Sequence, residues 1–137
     1  MRIRALNVRA PWAQFIMTGE KPYEYRSWET PYRGPVVIVS SVTRPSAALL
    51  ARVGVTRAEA ERYLYGYAIG VVDLVKVRPG QRGDAALAFC DTRGGFVWIL
   101  AKPRPIEPFR VEGRCGLYSL DAGLIQPASA IRIAAPR

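Results

Sequence analysis

The sequence contains no histidine. That absence removes histidine-based general acid–base catalysis, Ser-His-Asp and Cys-His pairs, and imidazole-ligated metals. Any chemistry has to use lysine, carboxylates, tyrosine, hydroxyls, cysteine or the backbone. Cysteine is scarce: Cys90 and Cys115 are far apart and lack the spacing of a zinc site. Two isolated thiols suit a reducing compartment, so the expectation is a cytoplasmic protein in which both are buried. No apolar run approaches the roughly 20 residues of a membrane span. The N-terminal stretch MRIRALNVRAPW has no apolar core or small-residue cleavage site of a secretion signal. Neither a membrane, a metal nor a cofactor is expected; a hard cation such as Mg²⁺ would require Glu24 and Asp73 to converge.

What the chain has in excess is arginine. Seventeen arginines stand against three lysines, and the net charge is +9. Such an excess favours a polyanionic partner, nucleic acid ahead of membrane because no basic amphipathic helix stands out. The planar arginine fork matches phosphates and base edges. The competing reading is charge spread over the surface for solubility. With 137 residues, half of them apolar, residues 1–137 make a single domain with a real core.

Strands outnumber helices. Residues 3–8 can start a strand, and Pro11 suits the first turn of a helix carrying Trp12, Phe15 and Ile16 on one face, with Gly19 as its stop. Tyr23 to Trp28 alternates with period two: Tyr23, Tyr25 and Ser27 on one face, Glu24, Arg26 and Trp28 on the other. PVVIV (35–39) is a strand buried on both faces. Ser46 caps one short helix, and Thr56 with Glu59 caps a second. Residues 67–77 form the longest strand candidate, PGQRGD a loop, GGFVWIL another buried strand. KPRPIEP has to be an edge or an extended link, because proline cannot join a central ladder. GLYSL closes the sheet region, and the tail after Gln126 carries little pattern. The irregular spacing favours an α+β fold: a small, mostly antiparallel β-barrel with short helices packed at its ends.

The sharpest feature lies in GEKPYEYRSWETPYRG (19–34). Glu24 and Arg26 sit about 6 to 7 Å apart along one strand face, and Lys21 can reach the same space. Exposed, they make an ordinary surface ion pair of little worth. Turned inward, they form a costly charge cluster, which proteins retain mainly for function. Periodicity leaves the inward face open, since Tyr23 and Tyr25 compete for the core.

These residues resemble the ASCH domain, a PUA-like β-barrel family whose hallmark is G-x-K-x-x-E-x-R, filled here by Gly19, Lys21, Glu24 and Arg26. The resemblance continues through Arg33-Gly34, the strand ending in Ser40-Ser41, YAIGVVDLV, Trp98 in FVWIL, and VEGRCGLYSL. It implies a PUA-like barrel with the motif's Lys, Glu and Arg lining a cleft, and RNA or a nucleotide-like ligand as partner. Some small bacterial relatives are hydrolases, one group deacylating N4-acylated cytidines and another described as a ribonuclease. The amidohydrolase pattern asks for a threonine three residues after the lysine, where this chain has Glu24, and for a glutamate on a later strand, where Asp73 is the only acid.

Two functions of different class follow. The leading one is an RNA-binding or nucleotide-recognising domain with a basic cleft, its partner single-stranded RNA. Lys21 and Arg26 would hold a phosphate or base carbonyl, and Glu24 would accept from an exocyclic amine or hold Arg26 in place. The alternative is a small nucleoside or RNA hydrolase in which Lys21, Glu24 and Arg26 are catalytic. Trp28 is the tryptophan best placed to stack on a base. Arg33, Ser40, Ser41, Asp73 and Arg114 complete the candidate ligand site, Arg114 in a glycine-flanked loop. Exchanging Lys21 or Arg26 for alanine is expected to weaken binding and leave the melting temperature nearly unchanged.

Overall fold

The structure is a computed structural model that describes residues 1–128; most of the tail after Gln126 lies outside the described residues. The strands are β1 (Arg2–Val8), β2 (Tyr23–Arg26), β3 (Gly34–Ser40), β4 (Tyr67–Pro79), β5 (Phe96–Arg110) and β6 (Leu117–Asp121). The helices are α1 (Trp12–Thr18), α2 (Ala47–Val53), α3 (Arg57–Glu61) and α4 (Ala85–Ala88). All six strands share one sheet in the order β2-β5-β4-β3-β1-β6. Only β1 and β3 run parallel; the other neighbours are antiparallel. The α+β, mostly antiparallel reading therefore holds.

The expected barrel does not close. β2 and β6 stand at opposite ends of the strand order with no ladder between them. β2 is four residues long and is followed by an irregular segment, so it has little backbone to offer a second partner. Side-chain bonds hold this end instead. Arg26 Nη2 donates to the Asn7 carbonyl of β1 at 2.7 Å, and Trp98 Nε1 donates to the Trp28 carbonyl at 3.3 Å.

The sheet is buried on both faces, which is why PVVIV is continuously apolar. Val36 and Ile38 join Leu6, Val8, Val72, Leu74 and Trp98 on one face, closed by Ala13 and Ile16 of α1. Val37 and Val39 join Ala5, Val71, Ile106 and Tyr118 on the other. A third cluster, Phe15, Leu50, Val55 and Ala60, ties α1 to α2 and α3. The caps are those expected: Ser46 and Thr56 each accept from a backbone N–H three residues on, at 3.1 Å, and Gly19 ends α1 at φ 86°.

Three details differ from expectation. The longest strand is β5, 15 residues against 13 for β4. It absorbs KPRPIEP because β2 covers only residues 96–99; beyond it this edge of β5 meets the short Ile106–Pro127 bridge, where the donor to the Gln126 carbonyl is the Glu107 amide and Pro105 only accepts. PGQRGD opens into a 3₁₀ turn at 82–84 and α4, locked by Asp84. Cys90 and Cys115, expected to be buried, are both exposed, since each falls in a connection outside the sheet.

Candidate functional site

Helix α1 stops at Gly19, and the chain turns so that the Lys21 amide donates to the Phe15 carbonyl at 3.0 Å. This turn sends the Lys21 side chain inward, leaving the residue 2% exposed. Its ammonium group has three N–H donors and three acceptors in reach: Tyr23 O at 2.6 Å, Ala88 O at 2.9 Å and Glu24 Oε1 at 3.1 Å. Trp12 lies 5.8 Å away, centroid to nitrogen.

Glu24 sits opposite Trp98 across the β2–β5 ladder and is 7% exposed. Its second oxygen accepts from Arg26 Nε at 3.1 Å and Nη2 at 2.9 Å. One buried carboxylate thus holds two cations. Tyr23 and Tyr25 take the other face: Tyr23 lies under the Arg78 guanidinium at 5.7 Å, and Tyr25 fills the space above Gly95. The motif charges therefore face inward.

Arg26 is the member of the cluster that still meets solvent, with 23% of its side chain exposed. Nε and Nη2 are engaged; Nη1 makes no hydrogen bond among the described residues and is not buried. Asn7, whose carbonyl takes Arg26 Nη2, accepts the Tyr118 hydroxyl on its side-chain oxygen at 2.7 Å. Burial pushes the Tyr118 phenol up to about 12, so it stays a hydrogen-bond donor across the ordinary pH range. The loop after β5 packs onto the same asparagine: a Cβ at Gly113 would collide with the Asn7 amide. Arg114 follows, exposed.

The remaining candidates do not join this cluster. Trp28 stands edge-on to Trp98, centroids 4.8 Å apart, and lines a cavity of about 470 Å³ with Arg4 and Tyr32. Arg33 braces its own turn by donating to the Thr30 and Tyr32 carbonyls at 2.7 and 2.8 Å. Ser40 is fully buried and accepts from Gln14 Nε2 at 3.1 Å, while the Ser41 hydroxyl accepts from the Thr43 amide at 3.2 Å. Asp73 pairs with Arg104 at 2.9 Å, half-exposed, and shares the face of Val71 rather than that of Trp98. Glu24 and Asp73 do not converge, and no group of three metal-ligating side chains forms among the described residues. Lys21, Glu24 and Arg26 do not line the surface cavities of 380 to 870 Å³ that open elsewhere on the molecule. The motif is a neutralising cluster whose outer member, Arg26, reaches the surface.

Sequence reasoning missed Asn7 and the Ala88 carbonyl. Asn7 had a visible signal as the lone amide in an apolar strand. A backbone carbonyl from α4 had none.

A family model, the ASCH domain, matches residues 6–110. The chain belongs to the ASCH domain family. Lys21, Glu24 and Arg26 fall inside the matched ASCH segment; Arg114 and Tyr118 lie beyond it. Human Activating signal cointegrator 1 is 29% identical over 90% of this chain, and the mouse protein of that name is 28% identical over the same share. The chain spans 23% of the length of these two curated relatives. An ASCH crystal structure from Zymomonas mobilis has the same fold, with a TM-score of 0.59 at 17% identity, covering 88% of each chain. Its S128A variant gives a TM-score of 0.60 at 16% identity, covering 90% of this chain and 96% of that one. No described helix is long and apolar enough to cross a membrane.

Proposed function

We propose that this ASCH domain binds single-stranded RNA, or a nucleotide-like ligand, with Arg26 as its fixed anchor. The observation that carries the reading is the division of labour within the motif. Glu24 and the Asn7 carbonyl hold the guanidinium in one orientation, while Nη1 remains available to a phosphate or base acceptor. A pre-ordered arginine loses less freedom on binding than a solvated one. Arg114 stands on the loop seated against the same asparagine and adds a second cation.

The geometry gives hydrolysis less support. A lysine base or nucleophile needs a free lone pair directed at substrate, whereas the Lys21 nitrogen is enclosed by three acceptors. The hydroxyl of the amidohydrolase pattern is replaced by Glu24, itself fully engaged. Negligible turnover of N4-acetylcytidine is expected. Rapid deacetylation that Lys21→Ala abolishes would overturn the binding reading.

The test of binding is fluorescence anisotropy of a short labelled oligouridylate at about 50 and 200 mM salt, with log affinity falling by about 0.7 per decade of salt for each phosphate neutralised. Arg26→Ala should weaken binding at least several-fold while the protein stays folded. Absence of binding by the unmodified protein at low salt would end the proposal.

A further inference from the structure

A second arginine-lined feature lies on the opposite face of the sheet, in a groove of about 380 Å³ between the end of β5, the following loop and β6. Arg2, Arg110 and Arg114 line it, with Phe109 and Tyr118 in its floor and Glu112 as its acid. The three arginines are exposed, and none is paired with a carboxylate among the described residues. Two are nevertheless oriented. Arg2 Nη2 donates to the Ser119 carbonyl at 3.1 Å, and the Arg110 guanidinium stands 5.6 Å from the centre of the Tyr67 ring. Arg78, Arg93 and Arg104, by contrast, each meet an aspartate at 2.7 to 2.9 Å. Arg4, Arg9, Arg33, Arg44, Arg52, Arg62 and Arg82 likewise have no carboxylate partner among the described residues; what sets the groove apart is that three such arginines meet there with one acid, Glu112.

The groove is physically joined to Arg26. Tyr118 in its floor donates to the Asn7 side chain, and the Asn7 backbone carbonyl accepts from Arg26.

We infer that this groove is a phosphodiester track, binding the sugar–phosphate backbone of the same single-stranded nucleic acid whose anchor is Arg26. The inference rests on the RNA-binding reading and extends it to a second surface. Three unpaired arginine forks around a partly aromatic floor suit a flexible polyanion. Contacts to phosphates position a strand without reading its sequence, so the track contributes affinity and salt dependence, and specificity resides elsewhere. Glu112 is the opposing charge and limits the affinity.

The experiment compares three proteins by anisotropy on labelled oligouridylate and oligoadenylate across a salt series: the unmodified chain, Arg2→Ala/Arg110→Ala/Arg114→Ala, and a control removing the same charge, Arg57→Ala/Arg62→Ala/Arg82→Ala. The groove variant should lose at least tenfold in affinity on both oligomers, with the salt slope shallower by about 2. The control should keep the slope, Glu112→Gln should tighten binding, and circular dichroism should show every variant folded. Binding by the unmodified chain that the groove variant retains overturns the track and leaves the Arg26 reading standing. Equal losses in groove variant and control overturn it in favour of bulk charge. Displacement of RNA by polyglutamate at equal charge overturns it in favour of an acidic peptide. No binding by the unmodified chain overturns both readings.

Discussion

At the scale of single residues, Glu24 determines whether the motif is stable. Among the described residues it is the only carboxylate against Lys21 and Arg26, and Lys21 is almost fully buried. Glu24→Ala leaves the buried Lys21 ammonium and the partly exposed Arg26 guanidinium without their shared carboxylate and should cost about 3 to 5 kcal/mol, read from chemical denaturation. Lys21→Met keeps the length of the side chain but strips the Tyr23 and Ala88 carbonyls of their donor. It should cost about 3 kcal/mol, contrary to the sequence-based expectation that replacing Lys21 leaves stability unchanged. Arg26→Ala should cost about 1 to 3 kcal/mol, since Glu24 keeps Lys21. The physical reason for the difference is burial: periodicity shows which residues share a face and says nothing of how many bonds each makes there.

At the scale of elements, the 80–95 connection is held by one carboxylate. Asp84 accepts from Arg78 Nη1 and Nη2 at 3.0 and 2.7 Å, from the Gln81 amide at 2.7 Å and from Thr92 Oγ1 at 3.0 Å. The Arg78 hydrogen bonds, with those from Gln81 and Thr92, hold its carboxyl at about 2, well below the usual carboxylate range. Depression of the folded value means that the unfolded chain takes up this proton first. The clamp's contribution is therefore full above about pH 4 and lost as pH falls towards 2. Asp84→Asn should lower stability at neutral pH and flatten the acid limb between those values. Because α4 supplies the Ala88 carbonyl, loosening this clamp should also loosen Lys21. At this scale much of the fold was legible. Ser46, Thr56 and Gly19 announced their caps, and PVVIV its two-sided burial. The barrel was not, because closure depends on whether a four-residue β2 finds a second partner. Nor was α4, whose Ala-Ala-Leu-Ala run follows a turn held by the Asp84 side chain. Lys21, Glu24 and Arg26 were readable as a constellation, but their saturation depends on carbonyls contributed by distant backbone.

At the scale of the whole molecule, +9 net charge is unevenly compensated. Arg26, Arg57, Arg78, Arg93 and Arg104 have carboxylate partners, whereas Arg2, Arg110 and Arg114 converge on one groove without one. Arg4, Arg9, Arg33, Arg44, Arg52, Arg62 and Arg82 also lack one among the described residues and lie outside the groove. If arginine served solubility alone, the response to salt would follow net charge and not the groove. In the binding mode proposed above, nucleic acid meets this domain along the line from Arg26 through Asn7 to the loop and β6. Nuclear magnetic resonance during titration with oligouridylate reads this path through backbone amides and the Nε–H signals of arginine. Shifts are expected at Asn7, Glu24 to Arg26 and residues 110–119, with the Arg26 and Arg114 Nε–H signals among the most affected and α2 and α3 unchanged. Shifts confined to α2, α3 or the Arg82 turn, with Arg26 silent at saturation, would contradict it.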